Sequence, residues 1–267
     1  QPKRIFGITY PNTEYVFVVM CLNRKTGETL WQQVATRLIP HEGTHGDNNF
    51  ASGSPTTDGE RLYYWFGSSG LFCYDLNGKK LWERSMSKAY MGASLGEACS
   101  PVVHDGKLIL VRDHVRQSYI EVLDAKTGKM LWRENRQGGN GWSTPAVVTH
   151  SGKTQIITTA SGIGRGGRLV EPGKVISYNL QSGEIIWQCG GLTDNAIPCP
   201  VVDGNAVYCM TGYQGFSLLA LPLSAKGDIT GSDKILWSKN RGTPYTPSSV
   251  LYKGLLHYTQ SNQALLS

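Results

Sequence analysis

A segment that ends in tryptophan recurs five times along the chain, and this repeat limits the possible folds more than any other feature. The tryptophans are Trp31, Trp82, Trp132, Trp187 and Trp237. Their successive separations are 51, 50, 55 and 50 residues. A period of this length is typical of repeat proteins in which each repeat is one supersecondary unit, packed against its neighbours.

Each repeat can be divided into four strand-like runs. A proline, as in "ACSPVVHDGKLILV", precedes a short apolar run, a turn such as "DG" and a second apolar run, which predicts a hairpin. A third run, "YIEVLD", leads through the turn "KTGK" into a fourth strand that begins "MLW". Four antiparallel strands per repeat predict an all-β β-propeller, with about five blades and a partial one in this chain.

The composition agrees with this prediction. The 267 residues include 32 glycines, 13 tyrosines and 7 tryptophans, with only 17% charged residues, which favours short strands and tight turns. The net charge of +6 is spread along the chain, so no nucleic-acid partner is expected. No apolar run is long enough for a membrane helix, and the N-terminus lacks a signal-peptide pattern.

The five tryptophans are predicted to have structural roles. An indole at the same place in every blade can pack against the turn of the next blade and donate its N–H to a backbone carbonyl. An aspartate or asparagine before each turn suits capping of the turn, and the glycine within it supplies positive φ.

Two short motifs suggest other activities but occur in the wrong context. His41-Glu42-Gly43-Thr44-His45 matches the zinc-protease pattern H-E-x-x-H, which requires a helix, yet proline, glycine and turn formers surround it. "SGIGRGGR" contains G-x-G-x-x-G but leads into a strand rather than a helix. We therefore predict that the first motif lies in an inter-blade loop without a metal site. The second is predicted to lie in an enlarged loop without a dinucleotide site.

The inter-blade loops are the best candidates for a binding surface, because propellers place ligands or partners on the loops of one face. The predicted ligand-binding or partner-binding residues are His41, Glu42, His45, Asp47, Asn48, Trp142, Asp194, Asn195, Arg241 and Tyr245. No catalytic residue is assigned among them.

"LDAKTGKMLW" followed by "STPAVV" resembles the tryptophan-docking repeat of the pyrroloquinoline-quinone-like (PQQ-like) β-propellers, across essentially the whole chain. "PHEGTHGDNNFASGSPTTDG" and "GGLTDNAIPCPVVDG" resemble more closely a group of bacterial, planctomycete-type propellers. That resemblance implies an exported or periplasmic protein without assigned activity. The repeat covers the whole chain and leaves partial blades at its two ends, so residues 1–267 are predicted to form one domain, part of a larger propeller with seven or eight blades.

Three kinds of function remain open. The resemblance favours a non-catalytic scaffold of the cell envelope, with a protein or carbohydrate partner and with any membrane association arising from regions outside this chain. A PQQ-dependent dehydrogenase would need calcium ligands and, in its best-known branch, an adjacent cysteine pair; no two of the six cysteines are adjacent. A hydrolase or lyase could use the His, Asp and Arg residues of the loops. We expect no cofactor.

Overall fold

The computed structural model describes residues 3–5, 7–165 and 168–260. These residues form β-strands and two short 3-10 turns, at Gly67–Ser69 and Gly92–Ser94. The chain divides into two compact units, Gln1–Leu110 with Glu121–Leu131 and Val111–Ile120 with Trp132–Ser267. The all-β prediction is therefore confirmed, and the structural comparisons below show that the fold is that of β-propellers.

The first part of the chain forms three small sheets. Their strands are β1 (Lys3–Ile5), β2 (Ile8–Tyr10), β3 (Tyr15–Leu22), β4 (Thr29–Leu38), β5 (Thr44–His45), β6 (Thr56–Thr57), β7 (Arg61–Trp65), β8 (Leu71–Asp75) and β9 (Lys80–Arg84). The sheet orders are β1-β2-β5, β3-β4 and β6-β7-β8-β9. The last sheet is a complete antiparallel blade, in which Tyr63, Cys73 and Trp82 lie side by side on neighbouring strands.

A second complete blade consists of β10 (Val102–His104), β11 (Lys107–Arg112), β12 (Ser118–Asp124) and β13 (Met130–Arg136). Hydrophobic residues of β7, β8, β11 and β12, together with Ala125 just after β12, form the main core of the first unit. This core comprises Tyr63, Trp65, Leu71, Cys73, Leu108, Leu110, Leu123 and Ala125. Full burial of each large apolar side chain stabilises the fold by about 1.5–3 kcal/mol.

The second unit continues the same pattern. Its strands are β14 (Ala146–His150), β15 (Lys153–Ala160), β16 (Ile163–Arg165), β17 (Arg168–Glu171), β18 (Gly173–Asn179), β19 (Ile185–Leu192), β20 (Val201–Asp203), β21 (Ala206–Thr211), β22 (Ser217–Pro222), β23 (Gly227–Asp228), β24 (Trp237–Lys239), β25 (Val250–Tyr252) and β26 (Leu255–His257). The larger sheets have the orders β14-β15-β18-β19-β23 and β20-β21-β22-β24, and β25 pairs with β26.

Three tryptophans lie against glycines in a recurring arrangement. Trp31, Trp82 and Trp132 donate their indole N–H groups to the carbonyls of Leu76, Ala125 and Leu180, at 3.0, 3.2 and 3.0 Å respectively. A Cβ atom added to Gly78, Gly128 or Gly183 would lie 2.7 to 2.8 Å from the corresponding indole ring. The glycine is therefore required by the close approach of the ring as well as by its positive φ.

Trp187 reaches the equivalent carbonyl through an intermediate side chain. Its N–H donates to Gln155 Oε1 at 3.0 Å, and Gln155 Nε2 donates to the Leu223 carbonyl at 2.9 Å. The inserted strand β23 pairs in parallel with β19 beside this tryptophan, an arrangement that the antiparallel repeat does not predict. Trp237 differs again, since it is 44% exposed and packs on Tyr208.

The predicted loop conformation of the two motif segments is found in part. Residues 41–43 of H-E-x-x-H have no regular structure, whereas Thr44 and His45 form β5 and pair with β2. The G-x-G-x-x-G segment lies between β15 and β18, as predicted for an enlarged loop, but it contains the hairpin β16-β17. Gly167, the last glycine of that motif, lies outside the described residues.

Within the described residues, no helix is long and apolar enough to cross a membrane.

Candidate binding site

In the first unit, two inter-blade loops are joined by three of the predicted site residues. The Nε2 of His41 lies 2.6 Å from the Ala89 carbonyl, so this nitrogen carries the proton and donates it. Glu42 Oε2 accepts the Met91 N–H at 3.0 Å. Asn48 Nδ2 donates to the Leu95 carbonyl at 2.9 Å. Because these polar atoms hold one loop against the other, they are engaged in structural contacts.

Burial affects the charge of one of these residues. Loss of solvent raises the pKa of the Glu42 carboxyl above its usual value, although hydrogen bonds from the Met91 amide and the Ser94 side chain oppose the effect. His41 Nε2 is held by a carbonyl and His45 lies on a strand, so the helical geometry of a zinc protease is not present in this segment. Nor do the described residues contain a group of three or more His, Cys, Asp or Glu side chains suited to a metal ion.

His45 lies on the wall of a cleft in the first unit. The backbone N–H of Asp47 donates to His45 Nδ1 at 3.2 Å, so the neutral imidazole carries its proton on Nε2. The cleft has a volume of about 410 Å³ and is lined by Ile8, Tyr10, His45, Met91, Ala93, Ser94 and Leu95. Asp47 itself is almost fully exposed, with 94% of its side-chain surface accessible.

In the second unit, the predicted residues Asp194, Asn195 and Tyr245 lie together. Asn195 Nδ2 donates to the Tyr245 hydroxyl at 3.1 Å. The ring of Tyr245 stacks on Tyr213, with 5.0 Å between centroids and 25° between planes. Asp194 forms a β-bridge to Tyr213, which connects the acidic residue to the aromatic pair. Tyr213 remains 38% exposed, so the pair can contact another molecule.

The carboxylate of Asp194 lies near the side-chain oxygen of Gln214. A Cβ atom added to Gly164 would be 2.7 Å from both Asp194 Oδ2 and Gln214 Oε1, which shows that the two oxygens converge on one point beside the backbone. Burial raises the pKa of the Asp194 carboxyl, and the Asn195 N–H partly offsets this. A carboxylate and an amide oxygen beside aromatic rings suit a cationic or N–H donor group.

The other two predicted residues of this unit differ in their surroundings. The backbone N–H of Trp142 donates to the Ala196 carbonyl at 2.9 Å, and the adjacent Gly141 forms a parallel bridge to Ala196. These contacts hold the loop of residues 137–145, the 140s loop, against Ala196, which directly follows Asp194 and Asn195 in the sequence. Arg241 is exposed, and its loop is anchored by Thr243, whose hydroxyl donates to the Thr211 carbonyl at 2.7 Å.

A buried ion pair supports the 140s loop. Arg136 Nε lies 3.0 Å from Asp113 Oδ1, with 0% and 2% of the two side chains exposed. Arg136 also donates to Asp113 Oδ2 and to the Thr159 carbonyl, at 3.1 and 3.0 Å. Burial outweighs the attraction of Arg136 and raises the pKa of Asp113 to about 6. A Cβ on Gly141 would lie 2.9 Å from Asp113 Cβ, so this loop runs directly over the pair.

Sequence reasoning did not identify Tyr213 and Gln214 as site residues. They lie in the loop between β21 and β22, the second and third strands of their blade. Such loops open on the same face as the inter-blade loops in a propeller, so the strand order contained the signal. The binding roles of the predicted residues in both units remain predictions.

Comparison with known proteins gives a family. Residues 17–267 match the family model described as "Outer membrane protein assembly factor BamB". The protein of that name from Burkholderia pseudomallei (strain K96243) is 22% identical over 288 residues, which cover 89% of this chain and 67% of that protein.

Two solved structures share the fold. BamB from Moraxella catarrhalis has a TM-score of 0.51 and 13% identity, covering 95% of this chain and 77% of that one. A quinohemoprotein alcohol dehydrogenase from Comamonas testosteroni has a TM-score of 0.54 and 16% identity, covering 90% of this chain and 42% of that one. At such identity these two structures show the fold alone, whereas the family match extends over most of the sequence. The chain therefore belongs to the β-propeller family described as outer membrane protein assembly factor BamB.

Proposed function

We propose that this chain is a non-catalytic scaffold of the bacterial cell envelope that binds a protein partner through loops of its blades. The observation that carries the proposal is the family match over residues 17–267. The named relative from Burkholderia pseudomallei is an outer membrane assembly factor, which makes the periplasm the expected location of this chain. The closer likeness to planctomycete-type propellers remains a prediction.

The loop surface of the second unit supports a protein partner. Stacked Tyr213 and Tyr245 offer a large, rigid contact area, and aromatic residues are enriched at the centres of protein interfaces. The oxygens of Asp194 and Gln214 lie close to this pair and could accept hydrogen bonds from an arginine or lysine of the partner. In the first unit, His41, Glu42 and Asn48 shape the loops, and His45 and Asp47 are the residues that remain available for contact.

The direct test measures the affinity of the immobilised chain for outer-membrane proteins of the source bacterium, purified and titrated one at a time. We expect at least one to bind, and Tyr213→Ala to weaken that binding by about 30-fold, the effect of a hot-spot residue of about 2 kcal/mol. Asp194→Asn should weaken it by removing the charge. The control is Leu81→Ala, which removes exposed apolar surface from β9 of the first unit.

Other results would favour the alternatives. Saturable binding of pyrroloquinoline quinone with calcium, followed by tryptophan fluorescence, would support a dehydrogenase-like enzyme. Saturable binding of an envelope polysaccharide that Tyr213→Ala abolishes would replace the protein partner by a carbohydrate. If no outer-membrane protein binds, or if Leu81→Ala weakens binding as much as Tyr213→Ala, the proposed surface is wrong.

A further inference from the structure

Two side-chain oxygens of the second unit, Asp194 Oδ2 and Gln214 Oε1, converge on one point. Each is 2.7 Å from the position that a Cβ atom on Gly164 would occupy. Within the described residues, neither oxygen accepts a hydrogen bond and Asp194 forms no ion pair. Because the two oxygens lie so close to one point, a single planar donor group can contact both.

The backbone around Asp194 is held by hydrogen bonds on both sides. Asp194 Oδ1 accepts the Asn195 N–H at 2.7 Å, which orients the carboxylate and leaves Oδ2 available. Asp194 forms an antiparallel bridge to Tyr213. The N–H of the preceding Thr193 donates to Thr211 Oγ1 at 2.8 Å. A ligand that binds Oδ2 therefore meets a preorganised acceptor, which lowers the entropic cost of binding.

Two residues of this site have a backbone conformation that side chains rarely adopt. Asn195 and Gln214 have φ angles of 54° and 53°, in the left-handed region. Asparagine tolerates this region, but for glutamine it is uncommon. Strained residues of this kind persist where the surrounding structure imposes them, and they cluster at ligand-binding sites. Here the strained turn brings the Gln214 amide oxygen beside the Asp194 carboxylate.

Two stacked tyrosines adjoin the two oxygens. Tyr213 directly precedes Gln214, is 38% exposed and stacks on Tyr245. Tyr245 is fixed in turn, because its hydroxyl accepts a hydrogen bond from Asn195 Nδ2 at 3.1 Å. Phe216, in the same loop as Tyr213, is 41% exposed. An aromatic face next to a carboxylate suits a cation that stacks on the ring while its N–H groups donate to the oxygens.

The acceptors of the site select among cations. A guanidinium is planar, carries its N–H donors in a fixed fork and stacks on aromatic rings, whereas an ammonium is a compact, strongly hydrated point charge. Calcium or magnesium needs about six oxygen ligands. The described residues contain no group of three or more His, Cys, Asp or Glu side chains suited to a metal ion. The chain carries a net charge of +6, so attraction of a cationic partner depends on local acidic groups such as Asp194.

We propose that Asp194, Gln214 and Tyr213 form a binding site for the guanidinium group of one arginine side chain of the partner protein. The guanidinium donates N–H groups to Asp194 Oδ2 and Gln214 Oε1, and its plane packs on the exposed face of Tyr213. The inference rests on the proposed function for the nature of the partner, but a small arginine derivative can report on the site by itself. Lysine does not replace arginine at such a site, so the site contributes to specificity.

The first test titrates the chain with N-acetyl-arginine-N-methylamide and follows binding by NMR, through the amide signal of Asn195 and the ring signals of Tyr213. We expect saturation with a Kd on the order of a few millimolar. The citrulline derivative, which keeps the shape but lacks the charge, should bind at least tenfold more weakly, and so should the lysine derivative. Shifts that do not saturate, or equal binding of the three derivatives, would overturn the proposal.

Variants of the chain locate the bound derivative. Asp194→Asn keeps the size of the side chain and should weaken binding of the arginine derivative at least tenfold. Asp233→Asn is the matched control, because it removes one charge from an exposed aspartate of the same unit and should leave binding unchanged. Tyr213→Leu should weaken the arginine derivative more than the lysine derivative. Unchanged NMR signals outside these loops verify folding, and equal effects of Asp194→Asn and Asp233→Asn would contradict the proposal.

The last test uses an outer-membrane protein that binds the chain. Its arginines are replaced by lysine one at a time, and one replacement should weaken the complex at least tenfold with the wild-type chain but have little further effect with Asp194→Asn. If Tyr213→Ala weakens the complex but no arginine couples to Asp194, the arginine site is wrong and the proposed function stands. If the arginine derivative binds at Asp194 but no outer-membrane protein binds, the site is supported and the proposed function fails.

Discussion

The Trp82 ring packs closely against Gly128, and this contact leads to a quantitative prediction about stability. The test compares Gly128→Ala with Gly106→Ala. Both glycines have a φ of 70°, so alanine experiences the same left-handed strain of about 1–2 kcal/mol at each position. They differ in what the new methyl group meets. At Gly106 nothing lies within 4 Å, whereas at Gly128 three atoms of the Trp82 ring lie at 2.8 to 3.0 Å.

The magnitude follows from this contact. Carbon atoms prefer separations of about 3.5–4.0 Å, so the ring must move by more than half an ångström or the turn must open. The ring cannot move freely, because its N–H is bonded to the Ala125 carbonyl at 3.2 Å. Overpacking of this kind costs about 1–3 kcal/mol. We therefore expect Gly106→Ala to destabilise the chain by about 1 kcal/mol, and Gly128→Ala by about 3 kcal/mol.

Equilibrium unfolding in urea, followed by circular dichroism and tryptophan fluorescence, measures both changes. Adding Trp82→Leu to each variant provides a control, because removal of the ring should make the two glycine substitutions equally costly. Equal destabilisation in the presence of Trp82 would refute the claim that the indole, rather than backbone conformation, requires glycine at this position.

Three further predictions concern other parts of the structure. Arg136→Met leaves the Asp113 carboxylate buried without its ion pair and should lower the free energy of unfolding by about 3–5 kcal/mol in urea titrations at pH 8, and adding Asp113→Leu should recover much of the loss. Since burial raises the pKa of Asp113 to about 6, the folded state binds its proton more tightly than the unfolded state. Relative to Asp113→Asn, wild-type stability should therefore fall as pH rises from about 4 to about 6, by up to about 3 kcal/mol, and a flat difference would contradict this sign. Trp132→Phe should cost at least about 1 kcal/mol by losing the bond to Leu180, while Trp237→Phe should change stability little; equal losses in thermal unfolding would contradict the difference in docking.

Much of the scaffold could be predicted from the sequence because each repeat specifies it locally. The proline, the "DG" turn and the tryptophan strand recur at fixed positions, and local signals of this kind decide strands and turns. The parallel strand β23 and the Gln155 bridge to Trp187 could not be predicted, because they arise from one irregular insertion that packs against a distant strand.

The candidate site was predictable only as a set of loops. Which loop residues meet depends on contacts between separate repeats, such as His41 with Ala89, and no local pattern encodes those contacts. The loop pattern therefore predicted His41, Glu42 and Asn48 as binding residues, although their polar atoms hold two loops together. It omitted Tyr213, whose role is visible only once its ring is seen on Tyr245.

The most direct test of partner binding is photo-crosslinking in living cells of the source bacterium. A photoreactive phenylalanine analogue replaces Tyr213, and in a control chain it replaces Leu81. The account predicts that the Tyr213 position captures a specific protein of the outer membrane, identified by mass spectrometry, and that the Leu81 position does not. Capture of no protein at Tyr213, or of the same proteins at both positions, would contradict the account.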